Sequence, residues 1–248
     1  MLAIIGGTGL TQLSSLAVSR RQVVRTPYGE PSGALTFGQI GGREVVFLAR
    51  HGYGHTIPPH AVNYRANIWA LHSQGVERIV SVASVGGIRA DLGPGVIAVP
   101  DQIIDYTWGR RSTFHEGEER SVVHIDFTRP YCDRLRNQLM SAAAAAGEAV
   151  VDGGVYATTQ GPRLETAAEI DRLDRDGADM VGMTGMPEAA LARELDLCYA
   201  AIAVVANHAA GRGQSRDAVR MDDINATLQT ALTRVRGIIE KLVEDLGG

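Results

Sequence analysis

The run Ala49-Arg50-His51-Gly52-Tyr53-Gly54-His55 places one arginine and two histidines directly after the apolar stretch Val45-Val46-Phe47-Leu48. Arginine offers a charged donor fork suited to phosphate or carboxylate, and histidine adds a proton-sensitive donor. Gly52 and Gly54 let the backbone close on a ligand without a side chain in the way. A surface loop with incidental charges fits this segment equally well when it is read alone.

Three other segments repeat the pattern of an apolar run that ends in glycine and hydroxyl residues. Ile5-Gly6-Gly7-Thr8-Gly9 can turn N–H groups and the Thr8 hydroxyl toward an anion. It is no dinucleotide fingerprint, because the third glycine would fall on Gln12, and it lacks the Gly-Lys-Ser/Thr ending of a phosphate loop. Ser81 to Gly87 and Gly182 to Glu188 end their runs in the same way, with Pro187 near the first turn of a helix. Open α/β sheets collect ligands beyond the carboxyl ends of their strands. The four ends, at positions 6, 50, 84 and 184, therefore predict an anion pocket built from Thr8, Arg50, His51, Ser84 and Thr184.

Asn207 leaves the most apolar run of the second half and can both donate and accept, which suits the edge of a base or sugar; a helix cap or turn former is the alternative. In Gly161-Pro162-Arg163-Leu164-Glu165-Thr166, a capping box of Thr166 and Glu169 accounts for those two residues and leaves Glu165 available as an acceptor. His51 and His55 lie in a glycine-rich loop, and no His-Glu-x-x-His is present, so no metal site is expected. There is no Gly-x-Ser-x-Gly elbow either.

To position these groups the chain needs strands that end at one edge, and its patterning supplies them. Strands are expected at Leu2 to Ile5, Glu44 to Leu48, Arg78 to Ala83, Val96 to Val99, Ala178 to Met183 and Cys198 to Ala206. Helices are expected at Tyr64 to Ser73, Tyr131 to Ala146, Ala167 to Asp176 and Pro187 to Glu194, with a last one capped by Asp222-Asp223. Interleaved strands and helices imply an α/β layer structure. Residues 105 to 130 read as a long excursion, either mobile or used in assembly.

With 248 residues, 45% of them hydrophobic, one α/β domain spanning 1–248 is favoured. The 28 acidic and 24 basic residues are interspersed for a net charge of −4, which argues against a nucleic-acid partner. No run reaches the length of a membrane span, and the start lacks a secretory pattern, so a cytoplasmic location without membrane association is expected. Cys132 and Cys198 make no metal or redox motif and no disulfide framework is expected from them, in keeping with a reducing compartment.

Taken together, GGTGL at 6–10, RHGYGHTIPPHAVNYRANIWAL at 50–71, GPRLETAAE at 161–169, GMTGMPEAALARE at 182–194 and CYAAIAVVAN at 198–207 resemble one family, the trimeric purine nucleoside phosphorylase and methylthioadenosine phosphorylase group. The resemblance runs almost end to end. It implies a mixed, partly barrel-like central sheet flanked by helices, a homotrimer, no cofactor, and inorganic phosphate as co-substrate. It places Thr8, Arg50, His51 and Thr184 around phosphate; Ala83 stands where relatives carry threonine, with Ser84 beside it. Met183 would lie under the ribose, Leu164 replaces a phenylalanine against the base, and His124 resembles the residue lent across the trimer toward the 5′-substituent. Catalysis would fall to Asn207, His51 and Glu165.

Adenine-specific relatives carry an Asp-x-Asp pair where this chain has Asn207 and Ala209. A carboxylate accepts from the N6 amino group of adenine and repels the O6 of a 6-oxopurine. Asn207 can donate to O6 and accept from a protonated N7, and Glu165 can accept from N1–H, so the base pocket resembles the 6-oxopurine branch. The sugar end points elsewhere: where inosine-type relatives set a histidine near the 5′-hydroxyl, this chain has Met221 and, a turn later, Ile224. An apolar lining favours a methylthio group. The nucleoside that satisfies both ends is 5′-methylthioinosine. Inosine or guanosine phosphorolysis, methylthioadenosine phosphorolysis and a non-catalytic nucleotide-binding role are the alternatives.

Overall fold

A computed structural model describes residues 1–117 and 121–246. Its strands are β1 (Leu2–Gly6), β2 (Ala17–Gln22), β3 (Leu35–Ile40), β4 (Arg43–Ala49), β5 (Arg78–Gly87), β6 (Ile97–Val99), β7 (Gln102–Asp105), β8 (Val150–Asp152), β9 (Val155–Thr158), β10 (Met180–Gly182) and β11 (Cys198–His208). The helices are α1 (Tyr64–Ser73), α2 (Asp133–Ala145), α3 (Ala167–Arg175), α4 (Gly185–Glu194) and α5 (Met221–Asp245). All strands join one mixed sheet in the order β2-β3-β4-β1-β5-β10-β9-β7, and β11, β6 and β8 branch from β5. This fork gives the partly barrel-like sheet its form in place of a flat layer.

Side chains alternate between faces along a strand, and here both faces are covered. Leu2 and Ile4 of β1, with Val45, Phe47, Val80, Val82, Ile202 and Val204, pack against α2 and α5. Ala3 and Ile5, with Val46, Leu48, Ile79 and Ala201, face α1 and α4. Double coverage is why these strands read as continuous apolar runs.

Each of the six expected strands has a counterpart, and α1 occupies the expected residues. Asn63 caps it by accepting from the Ala66 N–H. The expected Thr166–Glu169 capping box opens α3. Inside α4, Met186 is off helical geometry (φ −118°, ψ 141°), so the regular helix starts at Pro187 as expected. The start of α5 differs: Arg220 occupies the cap position without a side-chain bond, and Asp222 and Asp223 sit inside the first turn, where their charge complements the helix dipole. Two strands also outrun their expected ends. β5 continues through Ser84 to Gly87, and β11 continues through Asn207, so these residues belong to strands rather than to loops.

The cysteine expectation is overturned. Cys132 and Cys198 form a disulfide, with Cα atoms 5.2 Å apart at a sequence separation of 66. Spacing along the sequence hides a pair that the fold brings together: the Cys132 N–H donates to Tyr199 O, which seats the start of α2 against the start of β11. The inference from free thiols to a reducing compartment therefore falls.

Candidate active site

Strands β4, β1, β5 and β11 are mutually parallel neighbours, so their carboxyl ends open at one edge. A cavity of about 530 Å³ lies there, within the size range of small-ligand sites. Its lining includes Gly7, Thr8, Arg50, His51, Ala83, Ser84 and Thr184, together with Leu164, Glu165, Asn207, Ala209, Met183, Met221 and Ile224. Every residue expected at the site is gathered except His124, which is exposed and lies outside its own chain's cavity.

The turn after β1 lies so close to β5 that a Cβ on Gly7 would stand 2.5 Å from the Val82 carbonyl oxygen and 3.0 Å from Arg50 Nη1. Only glycine permits this approach, which puts Thr8 beside the arginine. Arg50 itself is fully buried, and its fork turns inward. Nε donates to Glu188 Oε2 (2.7 Å), Nη2 to Glu188 Oε1 (2.9 Å) and Ser81 Oγ (2.6 Å), and Nη1 to Val82 O (3.1 Å). A guanidinium has five N–H groups, so a single one, on Nη1, is left over. Burial pushes this guanidinium down, and the Glu188 carboxylate beside it outweighs burial and holds it above its ordinary value.

Glu188 is the residue that sequence reasoning missed. Wholly buried, it also accepts from Ser81 Oγ (2.7 Å) and Tyr199 OH (2.8 Å). The signal available was an acid directly after Pro187 in an apolar context, which reads as an ordinary first-turn acid.

His51 differs from its expected role as a donor. Its Nδ1 lies 2.8 Å from the Ile57 carbonyl oxygen, which can only accept, so Nδ1 carries the proton. Burial, together with the neighbouring Arg50 charge, lowers the ring to about 4. The neutral ring at pH 7 therefore presents Nε2 as an acceptor.

At the base end, a register shift in β11 between Val205 and Asn207 leaves Asn207 opposite Gly86. Such a bulge re-aims the side chains that follow it. Asn207 Nδ2 donates to His208 O at 2.6 Å. Glu165 Oε1 accepts from Thr159 Oγ1 at 2.6 Å, a contact the sequence did not reveal. Leu164 is 40% exposed and Met221 is 58% exposed, while Ile224 and Ala209 are buried. Among the described residues, no cluster of three or more metal-ligating side chains occurs, and no helix is long and apolar enough to cross a membrane.

A forked mixed sheet whose parallel strand ends open on a cavity of this composition is the architecture of a phosphorylase, and the chain belongs to the Phosphorylase superfamily, whose profile matches residues 1–244. It is 54% identical over 241 residues to a probable S-methyl-5′-thioinosine phosphorylase of Pseudomonas syringae, covering 97% of both chains. It is 50% identical over 215 residues to the 6-oxopurine nucleoside phosphorylase of Pyrococcus furiosus, covering 85% of this chain and 80% of that one. Among solved structures, methylthioadenosine phosphorylase from Schistosoma mansoni in complex with adenine superposes with a TM-score of 0.95 at 34% identity, over 99% of this chain and 91% of that one.

Proposed function

We propose that the chain catalyses the phosphorolysis of S-methyl-5′-thioinosine to hypoxanthine and 5-methylthioribose 1-phosphate. One observation carries this reading: a single cavity is lined both by Asn207 and Glu165 and by Met221 and Ile224. The first pair matches the O6 acceptor, the N1–H donor and a protonated N7 of a 6-oxopurine. The second matches a methylthio group and leaves a 5′-hydroxyl poorly satisfied. The 54% identical relative of Pseudomonas syringae, a probable S-methyl-5′-thioinosine phosphorylase, supports the same substrate.

In this reading the C1′–N9 bond lengthens first. Its electron pair stays with the purine, which takes up at N7, by way of water, the proton that hydrogen phosphate gives up on becoming the sugar phosphate dianion; the side-chain oxygen of Asn207 accepts from N7–H and the amide donates to O6. Glu165, held by Thr159, accepts from N1–H. Phosphate sits among Thr8, Ser84, Thr184 and the remaining Arg50 N–H, with His51 Nε2 accepting from the P–OH of hydrogen phosphate, and one of its oxygens forms the new bond to C1′ from the face opposite the base. Met183 supports the sugar. No residue forms a covalent intermediate, so the rate comes from positioning and from charge placed where charge develops. Inorganic phosphate is the co-substrate, and no cofactor is required. We further assign a homotrimer in which His124, exposed on its own chain, completes a neighbour's 5′-pocket. A cytoplasmic location is retained on the supply of nucleoside and phosphate rather than on the cysteines.

The test is release of base from 5′-methylthioinosine, 5′-methylthioadenosine and inosine, each with and without phosphate. A phosphate-dependent preference for methylthioinosine is expected. Preference for methylthioadenosine would refute the roles of Asn207 and Glu165, and inosine turned over at least as well would refute the apolar 5′-end. Binding without phosphate-dependent base release would refute catalysis.

A further inference from the structure

The excursion between β7 and α2 contains neither helix nor strand among its described residues, yet it sends one arginine into the fold. Arg110 does not line the cavity. Its guanidinium instead bonds the backbone behind two of the cavity's walls. Nη1 donates to Met183 O (2.8 Å), Met186 O (2.6 Å) and Tyr64 OH (3.2 Å). Nη2 donates to Gln160 O (2.9 Å) and Thr159 O (3.3 Å), and Nε to Gln160 Oε1 (3.2 Å). Among the described residues no carboxylate pairs with it, so its donors are given over to carbonyl, amide and hydroxyl oxygens.

The place where it binds is where the sheet stops holding these walls together. β9 and β10 run parallel, and their ladder ends at Thr158 opposite Gly182. One further bond, Thr159 N–H to Gly182 O at 2.8 Å, follows. Beyond it the two chains part. One leads through Thr159 and Gln160 to Leu164 and Glu165. The other leads through Met183 and Thr184 to Met186, two residues before the Glu188 that pairs with Arg50. Arg110 takes the next carbonyls on both sides and so continues the ladder's work where no strand remains.

We propose that Arg110 is a positioning residue: it fixes the distance between the Glu165 wall and the Met183–Thr184 wall, and thereby the placement of the leaving base relative to the sugar and phosphate. The proposal rests on the functional reading above for the identity of what is positioned. A planar, rigid fork is suited to bridging two sets of carbonyls. The compact ammonium of lysine can satisfy one side but not both. Misplacement by about 1 Å in such a site costs on the order of a hundredfold in rate.

The experiment compares wild type with Arg110→Lys and Arg110→Ala on 5′-methylthioinosine and phosphate, with thermal unfolding measured alongside. The expected result is a fall in kcat of about tenfold to hundredfold for Arg110→Lys at temperatures where it is fully folded. Guanidinium ion at sub-denaturing concentration restores Arg110→Ala saturably, and methylammonium does not. A merely structural anchor would lower Tm without either effect. Values of kcat and of both KM within twofold of wild type in folded Arg110→Lys would overturn the proposal. If wild type released base from no purine nucleoside, the functional reading would fall, and Arg110 would be judged on hypoxanthine binding. The rise in Tm given by hypoxanthine is then expected to be lost in Arg110→Lys, and its retention would overturn the proposal.

Discussion

Replacing Glu188 by glutamine tests the physical core of the site. In the folded chain Glu188 and Arg50 are both 0% exposed, and the carboxylate accepts four hydrogen bonds, two from Arg50 and one each from Ser81 and Tyr199. Glutamine keeps the shape but turns one oxygen into a donor. With its NH2 toward Ser81, Tyr199 and Arg50 Nη2, it opposes three donors. With its NH2 toward Arg50 Nε, it opposes one and spares the rest, so this is the orientation it will take. Even then a buried guanidinium has lost its counter-charge. Breaking a buried pair by removing one partner costs about 3–5 kcal/mol. At about 2–4 °C per kcal/mol for a chain of this size, Tm should fall by roughly 6–20 °C.

The cost of the same substitution should shrink when phosphate is present. In the wild type the charge of Arg50 is already answered by Glu188, and one N–H remains for a ligand. In Glu188→Gln the charge is unanswered, and phosphate is the anion that can meet it. A ligand stabilises the folded state according to its concentration relative to its Kd, so the rise in Tm given by inorganic phosphate measures this directly. Calorimetric unfolding of both proteins, across a phosphate series at constant ionic strength, should show the larger phosphate-dependent rise in the variant. A variant within about 2 °C of wild type without phosphate would contradict the cost assigned to breaking the buried pair. A phosphate-dependent rise no larger than in the wild type would refute the claim that Glu188 and phosphate compete for the same charge.

Asn207→Asp should move preference from 5′-methylthioinosine toward 5′-methylthioadenosine, because a mispaired buried polar edge costs about 1–3 kcal/mol, or roughly tenfold to hundredfold in the ratio of kcat/KM; an unchanged ratio would remove Asn207 from base recognition. His51 makes stability pH-dependent: its ring takes a proton near 6.5 when unfolded but near 4 when folded, so the unfolded chain binds more protons between those values. The contribution of the neutral ring is full above pH 6.5 and is lost as pH falls toward and through 4, amounting to about 3 kcal/mol. Tm against pH should therefore be flatter over this window in His51→Gln than in wild type, and parallel curves would refute the burial argument.

What the sequence disclosed, and what it withheld, follows from where each element sits. β1, β4, β5 and β11 are covered on both faces, so their apolar runs are unbroken and easily read. β2 is the reverse case: an edge strand, largely exposed and carrying Arg20 and Arg21, with no apolar face to betray it. β8 has three residues and β9 four, too short for a period of two to register. The β3–β4 hairpin did leave a mark, since Ile40 pairs with Arg43 across Gly41-Gly42, both at positive φ, and such a pair is a strong two-residue turn signal. The cavity lining was legible because strand ends gather by topology, which alternation and glycines reveal. Glu188, Thr159 and Arg110 were not, because each acts through partners distant in sequence: Glu188 is 138 residues from Arg50, and Arg110 is 73 from Met183.

The buried pair also bears on how a phosphorolytic site of this kind uses charge. As the glycosidic bond opens, the sugar becomes cationic a short distance from phosphate. A bare arginine at the phosphate site would hold the anion well but would neutralise the charge that the sugar needs, and would add a repelling cation. Here Glu188 answers Arg50 and His51 is neutral, so in the proposed reading phosphate would be met by directed N–H and O–H groups with little net positive charge from the site. The negative charge of phosphate is thereby kept for the sugar as its cation develops. An interaction that strengthens only as charge appears lowers the barrier, whereas one made equally with the bound substrates does not. Burying an ion pair beside the reacting atoms costs stability, and this differential gain is the physical reason for one to stand behind an anion site.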